Sequence, residues 1–144
     1  MALTNFPFGV SSFGIPLIGS GPDVTTGDIY FVSSTAANRS DSGSQGTSPS
    51  LPFATLDYAI GRMTANQGDT IYVMPGHAET ISAAAGLDLD VAGIRIIGLG
   101  WGNTRPTFTF ATATGADMDV DAANITLRNL RFIGNIAALA APCD

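Results

Sequence analysis

The chain contains no lysine, and all six of its basic residues are arginine. Against twelve acidic residues this leaves a net charge of -6. This argues against nucleic-acid partners, because phosphates are held by a basic surface. Charged residues make up only 12% of the sequence, about half the usual share. Polarity must come instead from Ser, Thr, Asn and Gly, a composition that suits β-structure with tight turns better than helical bundles. Cysteine is nearly absent: Cys143 stands alone, so no intrachain disulfide can form and the redox compartment stays open. No apolar run is long enough to span a membrane.

Charge is missing altogether from Met1 to Pro22. A secretory signal would have a basic start and an unbroken apolar stretch. Here Pro7, Pro16 and four glycines interrupt the segment instead, which also forbids a long helix. Residues 1–24 are expected to form an extended arm with spaced apolar anchors: Phe6, Phe8, Val10, Phe13, Ile15, Leu17 and Ile18. Such an arm must be covered. It either packs over the open end of its own domain or lies in a groove of another subunit.

What the sequence does have is a repeat. Leu87-Asp88-Leu89-Asp90-Val91-Ala92-Gly93-Ile94-Arg95-Ile96 aligns with Met118-Asp119-Val120-Asp121-Ala122-Ala123-Asn124-Ile125-Thr126-Leu127 at a constant offset of 31 residues. Apolar residues meet apolar residues, Asp meets Asp twice, and Gly93 meets Asn124 where the chain turns. Both residue types tolerate positive φ. Each copy reads as strand, turn, strand, with Leu87, Leu89 and Val91 on one side and Asp88 and Asp90 on the other. A period in this range marks a solenoid, and strand-rich copies argue for parallel coils.

Upstream, Gly27-Asp28 opens the strand Ile29-Tyr30-Phe31-Val32, and a serine-rich surface loop follows from Ser33 to Ser50. Over 53–64 the residues Phe53, Leu56, Ile60 and Met63 fall on one helical face. This is the expected capping helix of a domain over 25–144, since a terminal coil otherwise exposes apolar side chains and unpaired backbone. Thr70-Ile71-Tyr72-Val73-Met74 reads as a strong strand and Ala78 to Ile81 as a short one. Gly98-Leu99-Gly100-Trp101-Gly102-Asn103 reads as a glycine-rich corner, followed by the alternating strand Thr107-Phe108-Thr109-Phe110.

The run GTSPSLPFATLDYAI, then GDTIYVMPGHAETI, VAGIRIIGLG, RPTFTF and ANITLRNLRFIGN, resembles the N-terminal part of pectate-lyase-like right-handed parallel β-helix proteins over about Gly27 to Asn135. The resemblance implies an all-β solenoid of about three coils with one short capping helix. It is nearly silent about activity. The opening LTNFPFGVSSFGIPLIG resembles the start of bacteriophage virion proteins that carry this fold.

Enzymes of that superfamily act on polysaccharides with clustered acids, often with Ca²⁺. The offset would stack Asp88 on Asp119 and Asp90 on Asp121 at about 4.8 Å on neighbouring coils. Such pairs are a partial Ca²⁺ ligand set; equally, outward acids keep a β-surface soluble and block edge pairing. No basic residue accompanies them, since Arg95 aligns with Thr126. His77, the only histidine, lies two residues before Glu79, an arrangement open to general base catalysis or to a plain turn role. No Gly-x-Ser-x-Gly elbow occurs. The GLGWGN glycines have the wrong spacing for a dinucleotide site, with no helix after them. Trp101 is a candidate carbohydrate or partner contact, while Phe108 and Phe110 are expected to point into the core.

The resulting expectation is a non-enzymatic virion structural protein, a capsid decoration protein or head fibre. Its arm would bind the major capsid protein or other virion subunits at the capsid surface. The alternative is a tailspike-like module on the virion tail that binds or depolymerises a host glycan. No cofactor is implied. Ile125, Leu127, Leu130, Phe132 and Ile133 are followed by no capping helix. Either the native polypeptide continues past Asp144, or symmetry mates cover the last coil, for which a homotrimer is expected.

Overall fold

Short runs of β-branched and aromatic residues, separated by Gly, Asn and Asp turns, build most of the molecule. The computed structural model describes Ser11, Ser12, Ile15, Pro16, residues 25–111 and residues 115–135. The strands are β1 (Ser11–Ser12), β2 (Ile15–Pro16), β3 (Ile29–Val32), β4 (Thr70–Val73), β5 (Ala78–Ile81), β6 (Leu87–Asp88), β7 (Arg95–Gly98), β8 (Thr107–Ala111), β9 (Met118–Asp119), β10 (Thr126–Arg128) and β11 (Arg131–Asn135). One helix, α1 (Leu56–Ile60), lies between β3 and β4, and a 3-10 turn (Gly102–Thr104) lies between β7 and β8.

The fold is mainly β, and its sheets are parallel. β1 and β2 pair antiparallel. All other strand pairs are parallel, in sheets ordered β10-β7-β4-β3, β11-β8-β5 and β6-β9. From β4 onward the chain visits these three sheets in fixed rotation. The 31-residue offset is realised as register: Leu87 lies beside Met118, Asp88 beside Asp119, and Arg95, Ile96 and Ile97 beside Thr126, Leu127 and Arg128. The turn residues behave as the alignment implies. Gly93 (φ 75°) and Asn124 (φ 60°) are both left-handed, and so is Asn66 (φ 61°). The Asn66 N–H donates to Ala92 O and the Gly93 N–H to Ala123 O, so each turn rests on the next.

Alternation sorts the side chains. Tyr30, Ile71, Ile96 and Leu127 form one inward row in mutual register. Ile71 and Ile96 are fully buried with Val73, Leu87, Leu89, Ile94 and Phe108, and Phe110 is buried beside them. Thr107 and Thr109 take the opposite face to the two phenylalanines, as expected. In the second copy the burial fades: Val120 is exposed although its counterpart Leu89 is fully buried, because no described coil lies beyond it.

The helix is narrower than the 53–64 span. Phe53 is held in extended pairing with β3, its N–H donating to Phe31 O and its carbonyl accepting from Ser33. After Ile60, Arg62 and Met63 close three-residue turns onto Ala59 and Ile60. The apolar face is nevertheless the expected one, since Phe53, Leu56, Ile60 and Met63 are all buried. Buried Asp69 fastens three segments: Oδ1 accepts the Asp28 N–H at 2.8 Å and Oδ2 the Thr64 N–H at 2.7 Å.

Candidate functional site

The acid cluster is built by register. Because β6 lies beside β9, Asp88 and Asp119 are neighbours across the pair, and the Leu89 N–H donates to Asp119 O while Asp121 N–H donates to Leu89 O. The same 31-residue step carried one period back lands on Asp57 of α1, whose Oδ1 accepts the Asp88 N–H at 3.2 Å. Asp57, Ile60, Gly61, Ala85, Asp88 and Asp90 line an open cleft of about 230 Å³. Partial burial, and then the charges of Asp90, Asp121, Asp119 and Asp57, push the Asp88 carboxyl above its ordinary range. Its Oδ1 is buried without a hydrogen-bond partner. Among the described residues no three His, Cys, Asp or Glu side chains converge as a metal site would require. Asp57 was within reach of the sequence, since it sits at the same offset, but the repeat is obscured there by the helix.

His77 follows the Pro75-Gly76 turn, its N–H donating to Met74 O and its carbonyl accepting from Thr107, and its side chain is buried. Its Nε2–H donates to Glu79 Oε2 at 3.1 Å, and its ring lies 5.4 Å from that of Phe108. Glu79 Oε2 also accepts the Leu56 N–H at 3.0 Å. Glu79 thus satisfies the first turn of α1, where Thr55 makes no side-chain cap. Glu79 Oε2 therefore bridges the His77 ring N–H and the first turn of α1, linking that helix to β5. His77 Nδ1 is buried and unpartnered.

Trp101 lies 88% exposed at the tip of the glycine-rich corner. Gly100 (φ 102°) and Gly102 (φ 56°) make the bend. Thr104 Oγ1 accepts the Trp101 N–H and donates to Trp101 O, at 3.0 and 2.9 Å. Asn129 Nδ2 donates to both Gly98 O and Gly100 O, at 2.9 and 3.0 Å, tying the corner to the next β-turn. The indole is therefore presented on a braced loop with small neighbours.

The strands β9 to β11 have a different surface. β9, β10 and β11 each have one unpaired edge among the described strands. Val120, Leu127 and Phe132 are 47%, 36% and 39% exposed. Of the expected arm anchors, Phe6, Phe8, Val10, Phe13, Leu17 and Ile18 lie outside the described residues, and only the backbone of Ile15 is described. Cys143 also lies outside them. No helix of the described residues is long and apolar enough to cross a membrane. Comparison with protein-family models, with curated proteins and with solved structures returns no match.

Proposed function

We propose that the chain is a right-handed parallel β-helix of about three coils, capped at one end by α1, and that it serves as a structural component of a bacteriophage virion. The strand rotation through three parallel sheets supports the fold. The observation that carries the role is the surface of β9, β10 and β11, which combines a parallel edge without a partner strand among the described residues with exposed Val120, Leu127 and Phe132. Such an edge templates further pairing unless it is covered, so this surface suits assembly. The chain would be a capsid decoration protein or head fibre, a homotrimer anchored on the major capsid protein by its apolar arm, with the β-helix projecting. Replacing Phe6, Phe8 and Phe13 by Ala is expected to abolish attachment to particles while leaving far-UV circular dichroism unchanged. Native mass spectrometry is expected to give a trimer. A variant that still binds particles, or a stable monomer at micromolar concentration, refutes the corresponding part.

A second reading rests on Trp101. A rigidly held, open indole flanked by glycines is suited to stacking on a pyranose ring, as a tailspike-like glycan-binding module would need. Trp101 is the chain's one tryptophan, so fluorescence excited at the red edge, where tyrosine does not absorb, reports on this position alone. A saturable change on titration with host surface polysaccharide supports that reading, and an unchanged spectrum counts against it.

A further inference from the structure

Charge is segregated in the second half of the chain. Residues 91–116 and 122–143 contain Arg95, Arg105, Arg128 and Arg131, and no acidic residue. The acids of this half lie instead on and around β6 and β9. Two of these arginines meet at the corner that carries Trp101. The Thr104 N–H donates to Trp101 O and the Arg105 N–H to Gly102 O, so Arg105 closes the turn that begins at the indole. Arg105 has an extended backbone and leads through buried Pro106 into Thr107. On the neighbouring strand Arg131 is in register with Thr107, and its N–H donates to Pro106 O at 2.9 Å. The Phe108 and Phe132 rings lie 5.8 Å apart on the inward side. Alternation therefore puts Thr107 and Arg131 on the outward side, and Arg105, two residues before Thr107, continues it. Strand spacing and rise place the Cα atoms of Arg105 and Arg131 roughly 8 Å apart.

We infer that this corner binds an acidic polysaccharide, with Trp101 against the face of a sugar ring and Arg105 and Arg131 on the anionic groups of the chain. The inference rests on the glycan reading of Trp101 and adds the charge of the ligand. A guanidinium holds a carboxylate, sulfate or phosphate through paired N–H donors. Among the described residues neither Arg105 nor Arg131 is paired with a carboxylate. Arg131 is exposed. Arg105 is half-buried, and its Nε is a buried donor without an acceptor. Swinging this guanidinium out to an anion breaks no hydrogen bond at that nitrogen and relieves a buried unpaired donor. The site is also braced as one unit. Asn129 Nδ2 clamps Gly98 O and Gly100 O, and Asn129 stands two residues before Arg131, so the contact that steadies the indole loop also fixes the turn that presents the second arginine. Other polyanions match less well. The corner exposes one large apolar side chain, Trp101, too little for insertion into a lipid surface, and the net charge of -6 disfavours nucleic acid.

The test is red-edge tryptophan fluorescence of the full chain, titrated with two matched pairs of glycans and with single-stranded DNA. The pairs are alginate oligosaccharides against the same oligosaccharides with their carboxyl groups reduced to alcohols, and dextran sulfate against dextran. In at least one pair the acidic member is expected to bind saturably and about tenfold or more tighter than its neutral counterpart, and tighter than the DNA, with an affinity that falls as salt is raised. Arg105→Gln and Arg131→Gln are each expected to weaken the acidic glycan about tenfold and to leave the neutral one within about twofold. Equal affinity for the acidic and neutral members overturns the inference and leaves the glycan reading of Trp101 standing, whereas no response to any glycan removes both. DNA binding as tightly as the acidic glycan would mark a general polyanion surface and also overturns it. If Arg105→Gln lowers the melting temperature, Arg131→Gln, whose side chain is exposed, decides alone, and an unchanged affinity of that variant for the acidic glycan overturns the inference.

Discussion

The inward row Ile71, Ile96 and Leu127 contains its own control for the edge position of β10 among the described strands. All three side chains occupy equivalent positions on neighbouring strands. Ile96 is fully buried, flanked by a strand on either side, whereas Leu127 on the edge strand β10 is 36% exposed. Truncating Ile96 to Ala removes three carbons from a closed environment, and such changes cost about 2–5 kcal/mol, the transfer term plus an unfilled cavity. For a chain of this length that corresponds to a fall in Tm of roughly 4–20 °C. At Leu127 much of the side chain is already hydrated and no enclosed cavity forms, so the cost should be about 1 kcal/mol. The assay is urea unfolding followed by circular dichroism at one fixed protein concentration, because assembly would otherwise move the midpoint. The m-value should be unchanged in both variants. If Leu127→Ala costs as much as Ile96→Ala, β10 is covered in solution and the open-edge reasoning fails.

Other expectations follow from single contacts. Glu79→Ala leaves a buried His77 ring N–H and the Leu56 N–H without their acceptor, and should cost about 1–3 kcal/mol in chemical denaturation; an unchanged midpoint would show that the pair does not hold α1. Gly98→Ala puts a methyl group against the Asn129 carbonyl, so a loss of about 1–3 kcal/mol is expected, and a neutral result would mean that the next turn yields freely. Asp88 has its carboxyl raised by partial burial and by its acidic neighbours. The folded state therefore holds this proton more tightly than the unfolded state, and stability falls as pH rises from the unfolded value through the folded one. Asp88→Asn should accordingly be stabilising at neutral pH, with the gain vanishing in acid below the ordinary carboxylate range. Thermal melts at both pH values check this, and a large loss of Tm on adding EDTA to the native chain would instead point to a bound divalent cation.

How much was legible in the sequence depends on whether a contact repeats. The parallel register of β6 with β9 and β7 with β10, the left-handed turns at Gly93 and Asn124, and the Asp88–Asp119 neighbours could all be read from one 31-residue offset. The alternation of Phe108 and Phe110 with Thr107 and Thr109 needed only the two-residue period of a strand. Contacts with no period were hidden. The start of α1 was decided by Phe53 pairing with β3, which gives to the Ser33 N–H the carbonyl that a helix would offer four residues on. Glu79 reaches the start of α1 across 23 residues, and only the stacking of strand on strand brings them together. One outward row of the four-stranded sheet is spaced irregularly along the chain, so Phe31, Tyr72 and Ile97 look like ordinary strand residues until register places them on one face. Val120 is the reverse case. Its sequence environment has the same pattern of apolar and acidic positions as that of Leu89, but burial requires atoms on both sides, and only the tertiary structure decides whether a further strand is there to supply them.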